Sequence, residues 1–310
     1  MQFRQLRYFV KIVDAGSFSR AATVVHVAQP ALSQQVAELE ERLGVMLLQR
    51  SARGVRPTAA GEILYKEASE ILRQLDQLPS AISPSSSEPE GSVALGIMSS
   101  LAPKMVGGIL EQCRTIMPKV TISITDGDSL GLESKITSGV VDIGILYEDE
   151  FVTPVMRKPL FTQRLFLISV VPLPEHTDVI SLDQIAKLPL VIPGPTYGRR
   201  REVIERAFAE AKLKPNVALE ADTLGSELWA VRNNIGYSIL PAGDMSHFGP
   251  HAFAKPVLIE PPMQMTCSLV HSGGLPLTNA GQALLDFLIG FIEHRVQQPD
   301  MPGTEWIAKN

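Results

Sequence analysis

Apolar positions in the first sixty residues recur at helical spacing and stop at glycines. Leu6, Phe9, Val10 and Val13 fall at i, i+3, i+4 and i+7, which predicts an amphipathic helix ending before Gly16. Ser17 is placed to cap a second helix, with Phe18, Ala21, Ala22 and Val25 facing inward. The short connection His26-Val27-Ala28 leads to Gln29-Pro30, and proline suits a first helical turn because its missing N–H removes no bond there. A third helix then runs through Leu43, with Leu32, Val36, Leu39 and Leu43 inward, and Gly44 ends it. Short apolar stretches at 45–50 and 55–57 flank Ser51-Ala52-Arg53-Gly54 and predict a hairpin with an arginine at its tip.

Two short helices, a tight connection, a third helix with small polar residues at its outer start, and a hairpin wing together make a DNA-reading module. The outward set on the third helix is Gln29, Ala31, Ser33, Gln34 and Gln35. Glutamine can bond an adenine edge in two places, serine can meet several edges, and alanine or proline can touch a thymine methyl. Glu38, Glu40 and Glu41 come only in the second half, where phosphates would repel them, so the N-terminal half is the end expected in the major groove. Gln29, Pro30, Ser33 and Gln34 are therefore expected at bases, Arg53 in a minor groove, and Arg50 at phosphates.

Charge sharpens this division. The net charge is −5, yet up to Thr58 the chain carries eight basic residues (Arg4, Arg7, Lys11, Arg20, Arg42, Arg50, Arg53 and Arg56) against four acidic ones (Asp14, Glu38, Glu40 and Glu41). That head is +4, which leaves −9 on the rest and confines a polyanion partner to the head.

Beyond the wing, Thr58 caps a helix in which Leu64, Ala68, Ile71, Leu75 and Leu78 step by 4, 3, 4 and 3, a seam suited to pairing two chains. Pro79 should end or kink that helix near Leu78, because it lacks the N–H the helix needs. The Ser- and Pro-rich stretch 83–91 reads as an exposed joint. From Ser92 onward strands alternate with helices, so the architecture is α/β. Strands are expected at 93–97, 120–125, 142–147, 164–170, 190–192, 236–240 and 267–270, with helices at 103–117, 130–137, 201–212 and 280–295.

At 310 residues, 45% hydrophobic and 20% charged, the chain is about two globular domains long, and disorder, a collagen repeat and a disulfide scaffold are excluded. No apolar run nears the roughly 18 residues of a membrane span, and Arg4, Arg7, Lys11 and Asp14 argue against a signal peptide, so no membrane and a cytoplasmic location are expected. Cys113 and Cys267 are 154 positions apart and read as two reduced thiols without redox function. The six histidines are scattered; Gly249-Pro250 breaks the spacing of His247 and His251, so neither metal nor cofactor is implied.

The run from Phe3 to Tyr65 resembles the winged helix-turn-helix of LysR-type transcriptional regulators. The resemblance rests on Leu6-x-x-Phe9, Gly16-Ser17-Phe18-x-x-Ala21-Ala22, Gln29-Pro30-Ala31-Leu32-Ser33, Leu39-Glu40, Leu43-Gly44, Leu47-Leu48-x-Arg50, Pro57-Thr58 and Gly61. Within the family it is most similar to the nitrogen assimilation regulator group, through residues 3–14 and Arg53-Gly54-Val55. Ile136-x-x-Gly139-x-x-Asp142-Ile143-Gly144-Ile145 and Val231-x-x-Asn234-Ile235-Gly236-x-x-Ile239-Leu240-Pro241 resemble the family's sensor domain.

The resemblance implies a DNA-binding domain at 1–58, a dimerising linker helix and hinge at 59–90, an effector-binding domain at 91–295 and a tail at 296–310. It implies a two-lobed sensor similar to periplasmic binding proteins, with lobes at 91–161 plus 269–295 and at 162–268, and an effector in the cleft. The implied partners are an interrupted palindromic operator in double-stranded DNA, a second copy or a tetramer of the chain, a small-molecule effector, and RNA polymerase. Ligands in such sheets sit beyond strand ends at helix N-termini, which selects Ser99 and Ser100, Asp128 and Ser129, and Thr196 and Tyr197 as effector-binding candidates. Arg199, Arg200 and Arg201 at a helix start oppose its dipole and suggest an anionic effector.

Three other readings are open. An effector-independent regulator would act through abundance and operator spacing, and a nucleoid-structuring protein would discriminate poorly between operator and random DNA. Gly127-Asp128-Ser129-Leu130-Gly131 matches a serine hydrolase elbow, with Asp222 and His271 following in order. Such hydrolases need more strands before the nucleophile than the two found here, so no enzyme activity is expected.

Overall fold

Local capping chemistry sets the first helices of the computed structural model, which describes residues 1–51, 54–82, 88–147, 155–173, 178–194, 198–249, 252–273 and 277–308. Helix α1 (Phe3–Ala15) ends at Gly16, whose φ of +59° is the left-handed turn that glycine adopts without strain. The Ser17 hydroxyl accepts the Arg20 N–H and starts α2 (Phe18–Val24). Helix α3 (Gln29–Leu43) carries Pro30 in its first turn and stops at Gly44, φ +70°. Strands β1 (Leu48–Ser51) and β2 (Gly54–Pro57) pair antiparallel as the wing, while Ala52 and Arg53 lie outside the described residues. The head's core is Leu6, Phe9, Ile12, Ala21, Leu32, Val36, Leu39 and Leu47. Leu43, expected inward, is 41% exposed at the last position of α3.

Helix α4 (Ala59–Ile82) begins on Thr58, whose Oγ1 accepts the Gly61 N–H at 3.0 Å and donates to the Met46 carbonyl at 2.7 Å. Gly61 is required by contact rather than by dihedral: a Cβ there would lie 2.0 Å from the Leu47 carbonyl oxygen. One expectation for this helix is corrected. It continues to Ile82, three residues beyond Pro79, since proline forfeits one hydrogen bond and the final turn tolerates that loss. The apolar stripe is shared between the head's core and the surface. Ala68 and Leu72 are buried in the head's core and Leu64, Tyr65 and Leu75 pack against it, whereas Ile63 and Ile71 stay exposed.

The chain divides into two units, one built around Met1–Ser86 and the other from Ser87 onward. In the second unit, β3 (Gly91–Met98), α5 (Ala102–Ile116), β4 (Val120–Gly127), α6 (Ser129–Thr137) and β5 (Ile143–Tyr147) form a parallel α/β array. β6 (Val155–Arg164) then crosses into the second lobe as β7 (Phe166–Ile168), β8 (Val179–Ser181), α7 (Leu182–Ile185), β9 (Leu190–Pro193) and α8 (Arg199–Glu210). β10 (Val217–Ala221), α9 (Leu224–Arg232), β11 (Ser238–Leu240), a 3-10 turn (Ala242–Phe248) and β12 (Val257–Glu260) complete that lobe. β13 (Gln264–Ser272) returns to the first sheet, followed by α10 (Asn279–Val296) and β14 (Thr304–Trp306).

The first sheet has the order β14-β6-β13-β5-β3-β4, with β13 antiparallel to both β5 and β6. The second lobe holds β11-β7-β12-β8 and the parallel pair β10-β9, joined by the Val191 N–H donating to the Tyr237 carbonyl at 2.8 Å. The two crossing strands run side by side: the Leu165 N–H donates to the Met263 carbonyl at 2.9 Å. One apolar core spans both lobes through Leu95, Ile145, Leu160, Leu190 and Leu284. Within the C-terminal tail, β14 pairs with β6 and Met301 is buried. Cys113 and Cys267 are both buried and form no disulfide, and burial pushes the Cys113 thiol up to about 11. No helix among the described residues is long and apolar enough to cross a membrane.

Candidate functional site

Two places on the chain gather polar side chains, one in each unit. In the head, no side chain caps the start of α3, so its first-turn N–H groups face outward beside exposed Gln29, Pro30, Ala31 and Gln34. Ser33, one turn on, is half-buried. Arg50 of β1 leans onto this face: its Nη2 donates to Ser33 Oγ at 3.0 Å and its guanidinium stacks 4.2 Å from the Phe18 ring centre. Ser19 Oγ donates to Gln29 Oε1 at 3.2 Å, tying α2 to the start of α3. The wing is anchored by Glu40, whose Oε1 accepts the Leu47 and Leu48 N–H groups at 2.7 and 3.0 Å. Glu40 thus turns inward as a strut, a role its place among outward acids did not suggest.

In the second unit, the first turns of α5, α6 and α9 meet between the lobes. Their cleft holds about 390 Å³ and is lined by Ser99, Asp126, Asp128, Asp222 and Thr223 among others. Asp128 Oδ1 accepts the Gly131 N–H at 2.8 Å and Thr223 Oγ1 accepts the Ser226 N–H at 3.1 Å, capping α6 and α9. Ser99 Oγ donates to Asp126 Oδ2 at 3.2 Å. A separate, enclosed space of about 20 Å³, room for about one water, is bounded by Ser100, Ser129, Tyr147, Arg200 and Asp244. Ser100 Oγ is buried without a well-formed hydrogen bond, although the Tyr147 hydroxyl lies within its electrostatic reach.

The three arginines at the start of α8 are all paired. Arg199 meets Glu202 at 3.2 Å, and Arg201 meets Glu205 at 2.7 Å and Glu220 at 2.9 Å. Arg200, 6% exposed, pairs in two places with Glu227, which is fully buried and also accepts from Ser238 Oγ. The case for an anionic effector drawn from these residues therefore falls, because protein carboxylates already neutralise them. Burial pushes the Asp244 carboxyl up to about 8, with Arg200 and Lys104 opposing and Glu227 assisting, so it is protonated at neutral pH.

The comparisons with known proteins decide the family. Residues 3–62 match the family model described as "Bacterial regulatory helix-turn-helix protein, lysR family", and residues 86–291 match "LysR substrate binding domain". The chain belongs to the LysR family of transcriptional regulators. Nitrogen assimilation regulatory protein nac of Escherichia coli K12 is 32% identical over 308 residues, covering 99% of each chain. Its namesake in Klebsiella aerogenes is 32% identical over 294 residues, 94% of this chain and 95% of that one. Among solved structures, a cysteine-to-aspartate variant of full-length OxyR from Pseudomonas aeruginosa superposes with a TM-score of 0.75 at 22% identity, covering 98% of both chains. Full-length CbnR complexed with its target DNA gives 0.65 at 20% identity, covering 95% of this chain and all of that one. This LysR-type protein is thus a DNA-binding regulator with an effector-binding domain, and its relatives are not enzymes.

That assignment agrees with the side-chain geometry of the G-x-S-x-G segment. Ser129, 3% exposed, donates to Met98 Sδ at 3.3 Å, and His271 Nδ1 lies against the Ser272 carbonyl at 3.1 Å. Of the predicted site residues, Gln29, Pro30, Ser33, Gln34 and Arg50 come together on one face of the head. Ser99 borders the open cleft, and Ser100 and Ser129 border the enclosed space. Arg53, Thr196 and Tyr197 lie outside the described residues. The sequence reading missed Asp126, Glu227 and Asp244, and named Asp222 only as a hydrolase candidate and not as part of the cleft. Asp126 had a visible signal, since it stands two residues before Asp128 at the same strand end.

Proposed function

We propose that this LysR-type regulator binds an interrupted palindromic operator as a homodimer or homotetramer, and that a small molecule in the cleft alters how it does so. The observation that carries the DNA reading is the uncapped, polar start of α3 with Arg50 braced beside it. Gln29, Pro30, Ser33 and Gln34 read bases, Arg50 and Arg53 add backbone and minor-groove contacts, and RNA polymerase is a further partner at the promoter. Among the described residues of α4, exposed Ile63 and Ile71, eight positions apart, offer apolar surface to a second copy. The full-length match to a relative solved on its target DNA supports this reading.

For the effector, the open cleft is the larger space. Its lining carries three aspartates, so a ligand presenting ammonium or hydroxyl donors suits it better than a bare anion. Ser99, Thr196 and Tyr197 are proposed as its polar contacts, and Ser100 and Ser129 as polar groups of the enclosed space beside it. A thermal-shift screen of amino acids, amines, carboxylates and nitrogen metabolites tests this. A ligand at one hundred times its Kd adds about 2.7 kcal/mol, roughly 5–10 °C for a domain of this size. Ser99→Ala removes only a part-exposed hydroxyl bonded to Asp126, so it should leave the unliganded midpoint nearly unchanged and should abolish the ligand shift.

The enclosed space holds only about one water, and that favours a second reading in which operator binding needs no effector. A flat screen with operator binding intact would select it.

A further inference from the structure

Three glutamine side chains from two helices converge on one carboxylate at the reading face. Gln34 Nε2 donates to Glu38 Oε1 at 3.0 Å, and Gln35 Nε2 donates to Glu38 Oε2 at 2.9 Å. Gln5 of α1, 7% exposed, directs its Nε2 to the same Oε2 at 3.5 Å. An ionised carboxylate only accepts hydrogen bonds, so each amide must turn its NH2 toward Glu38. The orientation of Gln34 is therefore dictated by chemistry. What remains on Gln34 is its Oε1 and one Nε2–H, an acceptor and a donor in a fixed order.

That order decides what Gln34 can read. Adenine presents an acceptor (N7) beside a donor (N6), and glutamine matches it in two places only when the amide is turned one way. A freely rotating amide also serves a guanine, cytosine or thymine edge by turning over. Gln5 and Gln35 both donate to the other carboxylate oxygen, Oε2, and so hold Glu38 in place. The carboxylate stands one turn from the reading edge, where its charge opposes the phosphates. An acid kept there weakens overall affinity, and the convergence of three amides supplies a reason for it.

We propose that Glu38 is a specificity-determining positioning residue, which holds the Gln34 amide in one orientation so that Gln34 discriminates at its base pair. This rests on the reading of α3 as the DNA-recognition helix.

The test uses the full-length protein and a duplex selected by it from a random pool. Every position of that duplex is changed to each other base pair, and binding is measured by fluorescence anisotropy for wild type, Q34A, E38A and E38Q. Wild type should discriminate about tenfold or more at the position that Q34A flattens. E38A should flatten that same position while leaving the others within about twofold, and should bind a scrambled duplex more tightly at equal salt. E38Q offers Gln34 a donor as well as an acceptor, so either amide orientation is satisfied; it should flatten the same position as E38A and show the same tighter background binding. Full discrimination in E38A with an unchanged melting midpoint would overturn the proposal. So would equal losses at all positions in both E38A and E38Q, which mark a merely structural residue. If Q34A flattens no position, the recognition-helix reading fails and takes the proposal with it.

Discussion

Replacing Glu227 with alanine should destabilise the sensor domain by about 3–5 kcal/mol, the cost of leaving a buried charge without its partner. Arg200 is 6% exposed and draws on both carboxylate oxygens of Glu227, with the Ile239 carbonyl accepting a third bond at 3.3 Å. Glu227 is itself fully buried, so bulk solvent does not screen the pair. At roughly 2–4 °C per kcal/mol for a domain of this size, the melting midpoint should fall by roughly 6–20 °C. A double replacement, R200M with E227M, should cost far less than E227A alone, because neighbours of similar volume remove both charges together. An E227A midpoint within 1 °C of wild type would show that the pair is solvated.

The second large effect is a dependence on pH. The Asp244 carboxyl, at about 8 in the folded chain against an ordinary 3.8, binds a proton more tightly when folded. Its contribution to stability is complete below about pH 4 and is lost as pH rises through about 8. Asp244→Asn fixes the uncharged form with nearly the same shape. The two proteins should therefore melt alike near pH 4, and the variant should gain progressively, by up to about 4 kcal/mol at pH 7. Denaturation curves at pH 4 to 9 measure the gap. A constant gap would mean that Asp244 is ionised throughout.

The legible and illegible parts of the fold differ in physical kind. The caps at Gly16, Ser17 and Gly44 act within one turn, so the sequence displays both cause and effect. α9 was hidden because buried Glu227 occupies an inward position between Leu224, Leu228 and Val231, and a charge there breaks the apolar stripe. β6 was hidden by Pro159, which the ladder tolerates beside a register shift opposite Cys267 and Ser268. The arginines of α8 stand next to one another in sequence, whereas Glu220 and Glu227 reach them from nineteen and twenty-seven positions away. The seam on α4 was visible as a pattern, but a pattern does not say which neighbour covers it. In the head, base-reading candidates were legible by residue type, while the amides around Glu38 became visible only once α1 lay beside α3.

Sequence-specific DNA binding by the head is central to all of this, and one ratio tests it most directly. Affinity for the duplex selected from a random pool is compared with affinity for a scrambled duplex, both at 0.15 M salt. A ratio on the order of 10³ or more is expected. A ratio near one, with both affinities falling equally steeply with salt, would contradict it and leave a protein that coats DNA without reading it.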